Sequence, residues 1–390
     1  MRIGIDARHA HLPGIGRYIE ELVTHLARVE ETLEFVIFTL DARLRSAGHA
    51  HYQQPQWQDA FDHPNIHVVP FAAKTFSLRE QFQFRDLMRQ ARIDVFHSTF
   101  INVPLCSRVP LVVTLHDIRH PDLALHWGSS LPRAAAKALY HELMTRHALR
   151  HAQRVIAVSD FLHADAARFA LSHQHKVRTI HHGVSALFTP DVNAERDAAV
   201  REQYAMGMPY FLFVGTLKPH KNLLTLLRAF AQVRRQFKIP HRLLIAAKQD
   251  ARYPQPGAAV QRLGIAADVR FMDHVAKQDL PALYRGARGV VLPSFYESFG
   301  LPIIEAMACG APVITSNLAA MPEIAGDAGL LIDPSSAQSL AAALLRLAND
   351  DDCCETMRSK GLVNARRFSW ARSAAQHAAL YRELGTTAQT

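Results

Sequence analysis

No apolar stretch in this chain reaches the roughly 20 residues that a membrane-spanning helix needs, so an integral membrane protein is not expected. The sequence opens directly on a strand-like run, Arg2-Ile-Gly-Ile-Asp6, without a charged-then-apolar leader, and no secretory signal is expected. Cysteine is scarce: four in 390 residues, two of them adjacent at Cys353 and Cys354. That number and spacing give neither a disulfide framework nor a zinc pattern, so a reducing cytoplasm is the expected compartment. No internal repeat or low-complexity segment is present. Acidic residues are outnumbered, 35 Asp and Glu against 44 Lys and Arg, for a net charge of +9. The basic residues are dispersed and lack the interleaved aromatics of a stacking platform, so nucleic acid is not an expected partner. A basic surface suits anionic substrates and anionic membrane surfaces instead.

What the chain does have is strand–helix alternation, twice. Apolar runs at about 2–7, 34–40, 66–70, 94–98, 110–116, 154–159 and 177–181 read as strands, with helical patterns at about 17–29, 77–91, 131–150 and 160–170. Thr189-Pro-Asp-Val-Asn193 breaks the pattern, and strands resume at about 210–215, 241–247, 269–272, 289–292, 312–315 and 329–332. The runs are continuously apolar, as expected for parallel strands covered by helices on both faces. The expected fold is therefore α/β, with two doubly wound Rossmann-like domains at 1–190 and 200–367. Ligands are expected at the carboxyl ends of the strands, in the cleft across which the domains would face each other.

The most informative run extends from Ser294 to Gly310, immediately after the apolar strand Gly289-Val-Val-Leu-Pro293. It sets Glu297 and Glu305 on either side of a Gly300-Leu301-Pro302 turn. Pro302 fits the first turn of a helix and Gly310 the position just past its end. The N–H groups of Gly300 and Leu301 then form an anion site at a helix start. Carboxylates beside a phosphate site suit sugar hydroxyls, which need fixed acceptors. The implied ligand is a nucleotide sugar. A second anion cradle follows the strand Tyr210-Phe-Leu-Phe-Val214: Val214-Gly-Thr-Leu-Lys-Pro-His-Lys-Asn222, with Lys221 as a point charge for a leaving diphosphate.

These segments resemble the retaining glycosyltransferases of family 4, which have the GT-B fold. Further matching pieces are the glycine loop Gly14-Ile-Gly16, Thr114-Leu-His-Asp117, Val158-Ser-Asp160, His181-His-Gly-Val184 and Phe368-Ser-Trp370. The resemblance implies that Glu305 binds ribose and that Glu297 and His116 lie at the transferred sugar, gripping it from opposite domains. With Lys221 these two form the expected catalytic set. It places Gly215, Thr216, Lys218, His220, Lys221, Phe299, Gly300, Leu301 and Glu305 on the donor, and Gly14, Gly16 and Asp117 on the acceptor side. It also implies that a last helix, within 368–390, crosses back to the first domain. The chain departs from the family where arginine is frequent, at Thr216 and His220. Lys218 or His220 is available to supply the missing charge.

The resemblance implies transfer of a hexose from a nucleoside-diphosphate sugar, with retention of configuration. The acceptor would be a glycan or a lipid-linked sugar in bacterial surface polysaccharide synthesis, at the inner face of the cytoplasmic membrane. The form Gly-Thr-Leu-x-Pro-x-Lys-Asn resembles mannosyltransferases that use GDP-mannose. The alternatives are a nucleotide-sugar 2-epimerase of the same fold and a non-catalytic sugar-nucleotide-binding scaffold. No cofactor or metal is expected. Asp350-Asp-Asp352 matches a metal-binding Asp-x-Asp in form, but no strand leads into it. His116, followed by Asp117 and His120, also admits a core or a metal-binding role. On the pattern at 77–91, Arg79, Arg85, Arg89 and Arg92 flank Phe76, Leu78, Phe82, Phe84, Leu87 and Met88. This reads either as a membrane-surface helix or as an ordinary amphipathic helix with a solvated face.

Overall fold

The computed structural model describes residues 1–12, 14–41, 61–73, 77–118, 131–169, 171–249 and 252–387. The chain divides into two compact units. The first gathers Met1–Pro121, Ala135–Gly183 and Ser369–Thr390, and the second is built on Val184–Phe368.

Among the described residues of the first unit, seven parallel strands run β1 (Arg2–Asp6), β2 (Glu34–Leu40), β3 (Ile66–Phe71), β4 (Val95–Ser98), β5 (Leu111–Leu115), β6 (Arg154–Ala157) and β7 (Val177–Thr179). Their order across the sheet is β3-β2-β1-β4-β5-β6-β7. β1 is central, with Ile3 opposite Phe35 on one side and Val95 on the other. Helices α1 (Ile15–Val29), α2 (Leu78–Gln90), α3 (Leu131–His151) and α4 (Asp160–Phe169) connect the strands. Two-sided cover explains why β1, β4 and β5 are almost wholly buried and read as unbroken apolar runs.

α2 starts at Ser77, whose Oγ accepts the Glu80 N–H at 3.3 Å. Phe84 and Met88, one helical turn apart, face the core. Phe82 stands on the opposite face and is 63% exposed. The apolar side of this helix is thus mainly a core face; Phe76 lies outside the described residues.

The second unit repeats the plan with β8 (Tyr210–Val214), β9 (Arg242–Ala246), β10 (Val269–Met272), β11 (Gly289–Leu292), β12 (Val313–Ser316) and β13 (Gly329–Ile332). Their order is β10-β9-β8-β11-β12-β13, all parallel. Its helices are α5 (Ala194–Ala205), α6 (Leu223–Phe237), α7 (Gln255–Arg262), α8 (Leu280–Gly286), α9 (Leu301–Ala308), α10 (Met321–Ala325), α11 (Ala337–Asn349) and α12 (Asp351–Ala365). Residues 184–190, grouped with the first half in the sequence, belong with this unit, where Phe188 meets the ring of Tyr284 edge-on.

The last helix, α13 (Trp370–Thr387), belongs to the first unit. Trp370, Ala374, Ala378, Tyr381 and Leu384 enter the same core as Ile3, Ile5, Tyr18 and Leu22. In each unit the winding reverses at a switch point, between β1 and β4 and between β8 and β11. In open parallel sheets that is where ligands bind.

Candidate active site

In the second unit the turn after β8 and the turn after β11 meet at the switch point. The Phe295 N–H donates to the His220 carbonyl at 2.8 Å. Asn222, in the left-handed conformation at φ 57°, donates through Nδ2 to the carbonyls of Pro293 (3.0 Å) and Pro334 (2.7 Å). These bonds fix the two turns to each other and to the start of α6.

Within this frame Lys221 Nζ donates to both oxygens of Glu297, at 2.6 and 2.8 Å. The Ser294 hydroxyl donates to the same carboxylate at 2.6 Å. Burial pushes the Glu297 pKa up, but Lys221, Ser294 and the nearby His220 outweigh it, so the carboxyl sits below its ordinary value. Lys221 and Glu297 were expected to act on different parts of a donor, and the structure brings them together as one ion pair. A lysine ammonium has three N–H donors. The pair uses two and leaves one to share.

Gly300, at φ 98°, heads α9 without a side-chain cap, and Pro302 occupies the first turn. This left-handed geometry is one that glycine adopts without strain. The helix start therefore presents backbone N–H groups at Gly300 and Leu301. Phe299 is buried against Phe368. Glu305, on the second turn, is buried and accepts the Tyr284 hydroxyl at 3.0 Å. Gly215 differs from Gly300: a side chain there would meet only the Phe213 ring, at an ordinary 3.6 Å. Thr216, Lys218 and His220 are half-buried on the same turn.

Asp350–Asp352 joins α11 to α12. Asp350 caps α12 by accepting the Cys353 N–H at 2.8 Å, and Asp351 pairs with Arg288 at 2.6 Å. Both acids are engaged in the helix start.

Around His116, past the end of β5, the buried groups at the carboxyl edge of the first sheet are neutral. His116 follows β5 directly and is buried, edge-on to Tyr18 at 4.8 Å and stacked with His182 at 5.6 Å. Burial pulls its pKa down to about 3, so at neutral pH it is an uncharged imidazole. Its Nε2 is buried and, among the described residues, has no hydrogen-bond partner. Asp117 is half-buried beside it, and His120 lies outside the described residues. Gly14 takes φ 84° before α1, and a side chain at Gly16 would collide with the Ala10 carbonyl, so the fold by itself requires both glycines.

Sequence reasoning missed three groups here. His9 is buried against Phe100 at 4.7 Å, with its pKa pulled down to about 4. Both its ring nitrogens lack partners among the described residues. Beneath His116, Thr114 Oγ1 joins Tyr18 (2.9 Å) and His97 (2.8 Å), Tyr18 joins His377 (3.0 Å) and His97 joins Tyr381 (2.6 Å). This network ties α13 to the sheet. Arg8 pairs with Asp6 and Glu80, each at 2.6 Å, between the rings of Phe71 and Phe84. The high count of 23 histidines hid the first two groups; the Asp-x-Arg spacing of Asp6 and Arg8 was the available signal for the third.

Comparison with known proteins covers both units. Residues 13–186 match the family described as Glycosyltransferase Family 4, and residues 208–350 match Glycosyl transferases group 1. The O-antigen chain mannosyltransferase B of Escherichia coli is 29% identical over 96% of this chain and 97% of its own length. A D-inositol 3-phosphate glycosyltransferase of Kribbella flavida is 30% identical over 75% of this chain and 72% of its own. HepE of Anabaena, solved in complex with UDP and glucose, superposes with a TM-score of 0.78 at 20% identity, over 98% of this chain and 100% of that one. With two parallel-sheet α/β units of GT-B type and these relatives across its length, the chain belongs to the family 4 glycosyltransferases.

Proposed function

We propose that this glycosyltransferase moves a hexose, with mannose favoured, from a nucleoside-diphosphate sugar to a saccharide acceptor in surface-polysaccharide synthesis, with retention of configuration and without a metal. The observation that carries the reading is the pairing of Lys221 with Glu297 at the switch point of the second sheet, beside the uncapped start of α9. The Escherichia coli mannosyltransferase favours mannose and a polysaccharide product, and the HepE complex favours a nucleotide-sugar donor.

Each group has a task that its chemistry fits. The N–H groups of Gly300 and Leu301 and the third donor of Lys221 hold the diphosphate, whose negative charge grows as the bond to the sugar breaks. Glu297 aims Lys221 by its bidentate grip. Glu305, whose carboxylate has acceptor capacity beyond the Tyr284 bond, takes a ribose hydroxyl. His116, an uncharged imidazole, suits a sugar hydroxyl rather than a phosphate. In the transfer the acceptor oxygen bonds to the anomeric carbon on the face that the diphosphate leaves. The acceptor proton passes to a diphosphate oxygen. No protein carboxylate bonds to the sugar, and the protein contributes orientation and charge stabilisation.

The test is transfer from GDP-mannose and from UDP-sugars to methyl mannoside in excess EDTA, with the product read by NMR. The expected product is a disaccharide with the donor's anomeric configuration. An inverted product, a 2-epimer of the donor nucleotide sugar, or activity lost with EDTA and restored by Mg²⁺ would each overturn a named part of the reading.

A further inference from the structure

Among the exposed large apolar side chains described in the first unit, four belong to α2, α3 and the loop at 101–105: Phe82 (63% exposed), Leu105 (47%), Leu139 (57%) and Leu143 (56%). Hydrogen bonds among their neighbours place them on one surface. The segment 101–105 runs between α2 and α3. The Leu105 N–H donates to Gln81 Oε1 at 2.7 Å, next to Phe82 on α2. On the other side His147 of α3 reaches the Pro104 carbonyl at 3.3 Å, and the Tyr140 hydroxyl donates to Asn102 at 3.2 Å. Asn102 in turn donates to Glu80 of α2 at 2.5 Å. The two helices and the loop between them thus form one continuous surface carrying all four groups.

The polar residues on the same faces are mostly cationic. Spacings of three and four put side chains on one helical stripe. On α2 that stripe is Arg79, Phe82, Arg85 and Arg89; on α3 it is Leu139, Leu143, Arg146 and Arg150. Arg85 and Arg89 are 63% and 78% exposed and share the single acid Asp86. Arg146 is exposed and pairs with Glu142 at 2.8 Å. Lys176 adds a further cation by donating to the Arg150 carbonyl at 2.9 Å. Glu80 is buried on Arg8 and offsets nothing at the surface. Among the described residues of α2 and α3 outside the core, cations outnumber the acids Asp86 and Glu142.

We propose that this face of the first unit docks on an anionic lipid surface, with Phe82, Leu105, Leu139 and Leu143 entering the interface and the arginines meeting the headgroups. Isolated exposed apolar groups are common, but a cluster rimmed by cations matches a surface that is apolar below and anionic above. No helix among the described residues is long and apolar enough to cross a membrane, so such contact would be peripheral. The inference deepens the proposed function by placing the chain where a lipid-linked acceptor would be, yet its test needs no turnover.

The experiment is flotation of the full chain with phosphatidylglycerol–phosphatidylcholine vesicles and with pure phosphatidylcholine vesicles. Binding is expected to the anionic vesicles and to weaken as salt rises. The variant Phe82→Ser, Leu139→Ser, Leu143→Ser should lose at least about tenfold in vesicle affinity. Arg85→Glu with Arg89→Glu should lose about fivefold or more per arginine. Both variants should melt like wild type, because all five side chains stand outside the core. Absence of wild-type flotation, or equal flotation by both variants, overturns the proposal. So does a concentration-dependent dimer that the serine variant abolishes, which would make the face a self-association surface. Failure of sugar transfer with flotation intact would count against the enzyme reading alone.

Discussion

The surroundings of β5 in the first unit and the turns after β8 and β11 in the second, all at carboxyl ends of parallel strands, are built from opposite chemistry. At the second, a lysine and a glutamate pair directly and two turns are pinned by backbone and asparagine bonds. Around β5 of the first, buried histidines, a tyrosine and a threonine hydrogen-bond without charge, while the buried charges of that unit, Arg8 with Asp6 and Glu80, lie past β1. Both positions lie at carboxyl ends of parallel strands in the same kind of sheet, so topology does not explain the difference. Burial and charge do. A buried charge persists only when paired, and the second edge supplies a pair. A buried histidine gives up its proton instead, and the first edge relies on that.

Acid should separate the two units by the largest margin. His9, His97, His116, His182 and His377 are all buried in the first unit with pKa values pulled below the ordinary 6.5, chiefly by burial. As the pH falls below that value the unfolded chain binds protons that the folded unit refuses, so stability falls with pH. Each such group costs about 1.4 kcal/mol per pH unit. Among the described residues the second unit holds one comparable buried histidine, His241, at about 4. Its Glu297 pair keeps its contribution above the ordinary carboxylate value of 4.5 and loses it only as the pH falls below that. Hydrogen exchange at pH 7 and pH 5, read by segment, should show β1, β4 and β5 losing protection before β8 and β11. Simultaneous loss would break the comparison.

The charged edge can be tested at its centre. Lys221→Ala should cut turnover by about 10²–10³-fold, the scale for removing one donor to a developing anion. It should also lower the melting temperature, because Glu297 is left buried and unpaired. Adding Glu297→Gln should restore the melting temperature but not turnover. Restoration of both would show that the pair is structural and that Lys218 or His220 carries the phosphate. A smaller effect is expected behind the helix start. Glu305→Gln should weaken nucleoside-diphosphate binding by about 1–3 kcal/mol, measured by calorimetry. Unchanged affinity would remove Glu305 from the nucleotide site.

The expected strands were legible because parallel strands covered on both faces leave an unmistakable apolar record, and each of them forms close to its expected bounds. The turns after β8 and β11 were legible because Gly300, Pro302 and Asn222 serve local backbone geometry. Long-range partners left no such record. Nothing near Lys221 in the sequence names Glu297, 76 positions away, as the acceptor of its ammonium. The His97–Tyr381 and Tyr18–His377 bonds join positions 284 and 359 apart and depend on where α13 packs. Phe82 was grouped with Phe84 and Met88 as one apolar face, and only the helix phase separates it from them.

The packing of α13 also has a consequence for biosynthesis. Trp370, Ala374 and Tyr381 lie in one core with Ile3, Ile5 and Tyr18, so the part of the chain translated first cannot complete its interior until residues 370–387 have left the ribosome. The second unit, drawn mainly from the continuous stretch Val184–Phe368, has no such wait. Domains generally fold in the order of synthesis. Here the later unit has nearly all of its chain available before the earlier one does, which leaves the earlier core incomplete until the end of synthesis.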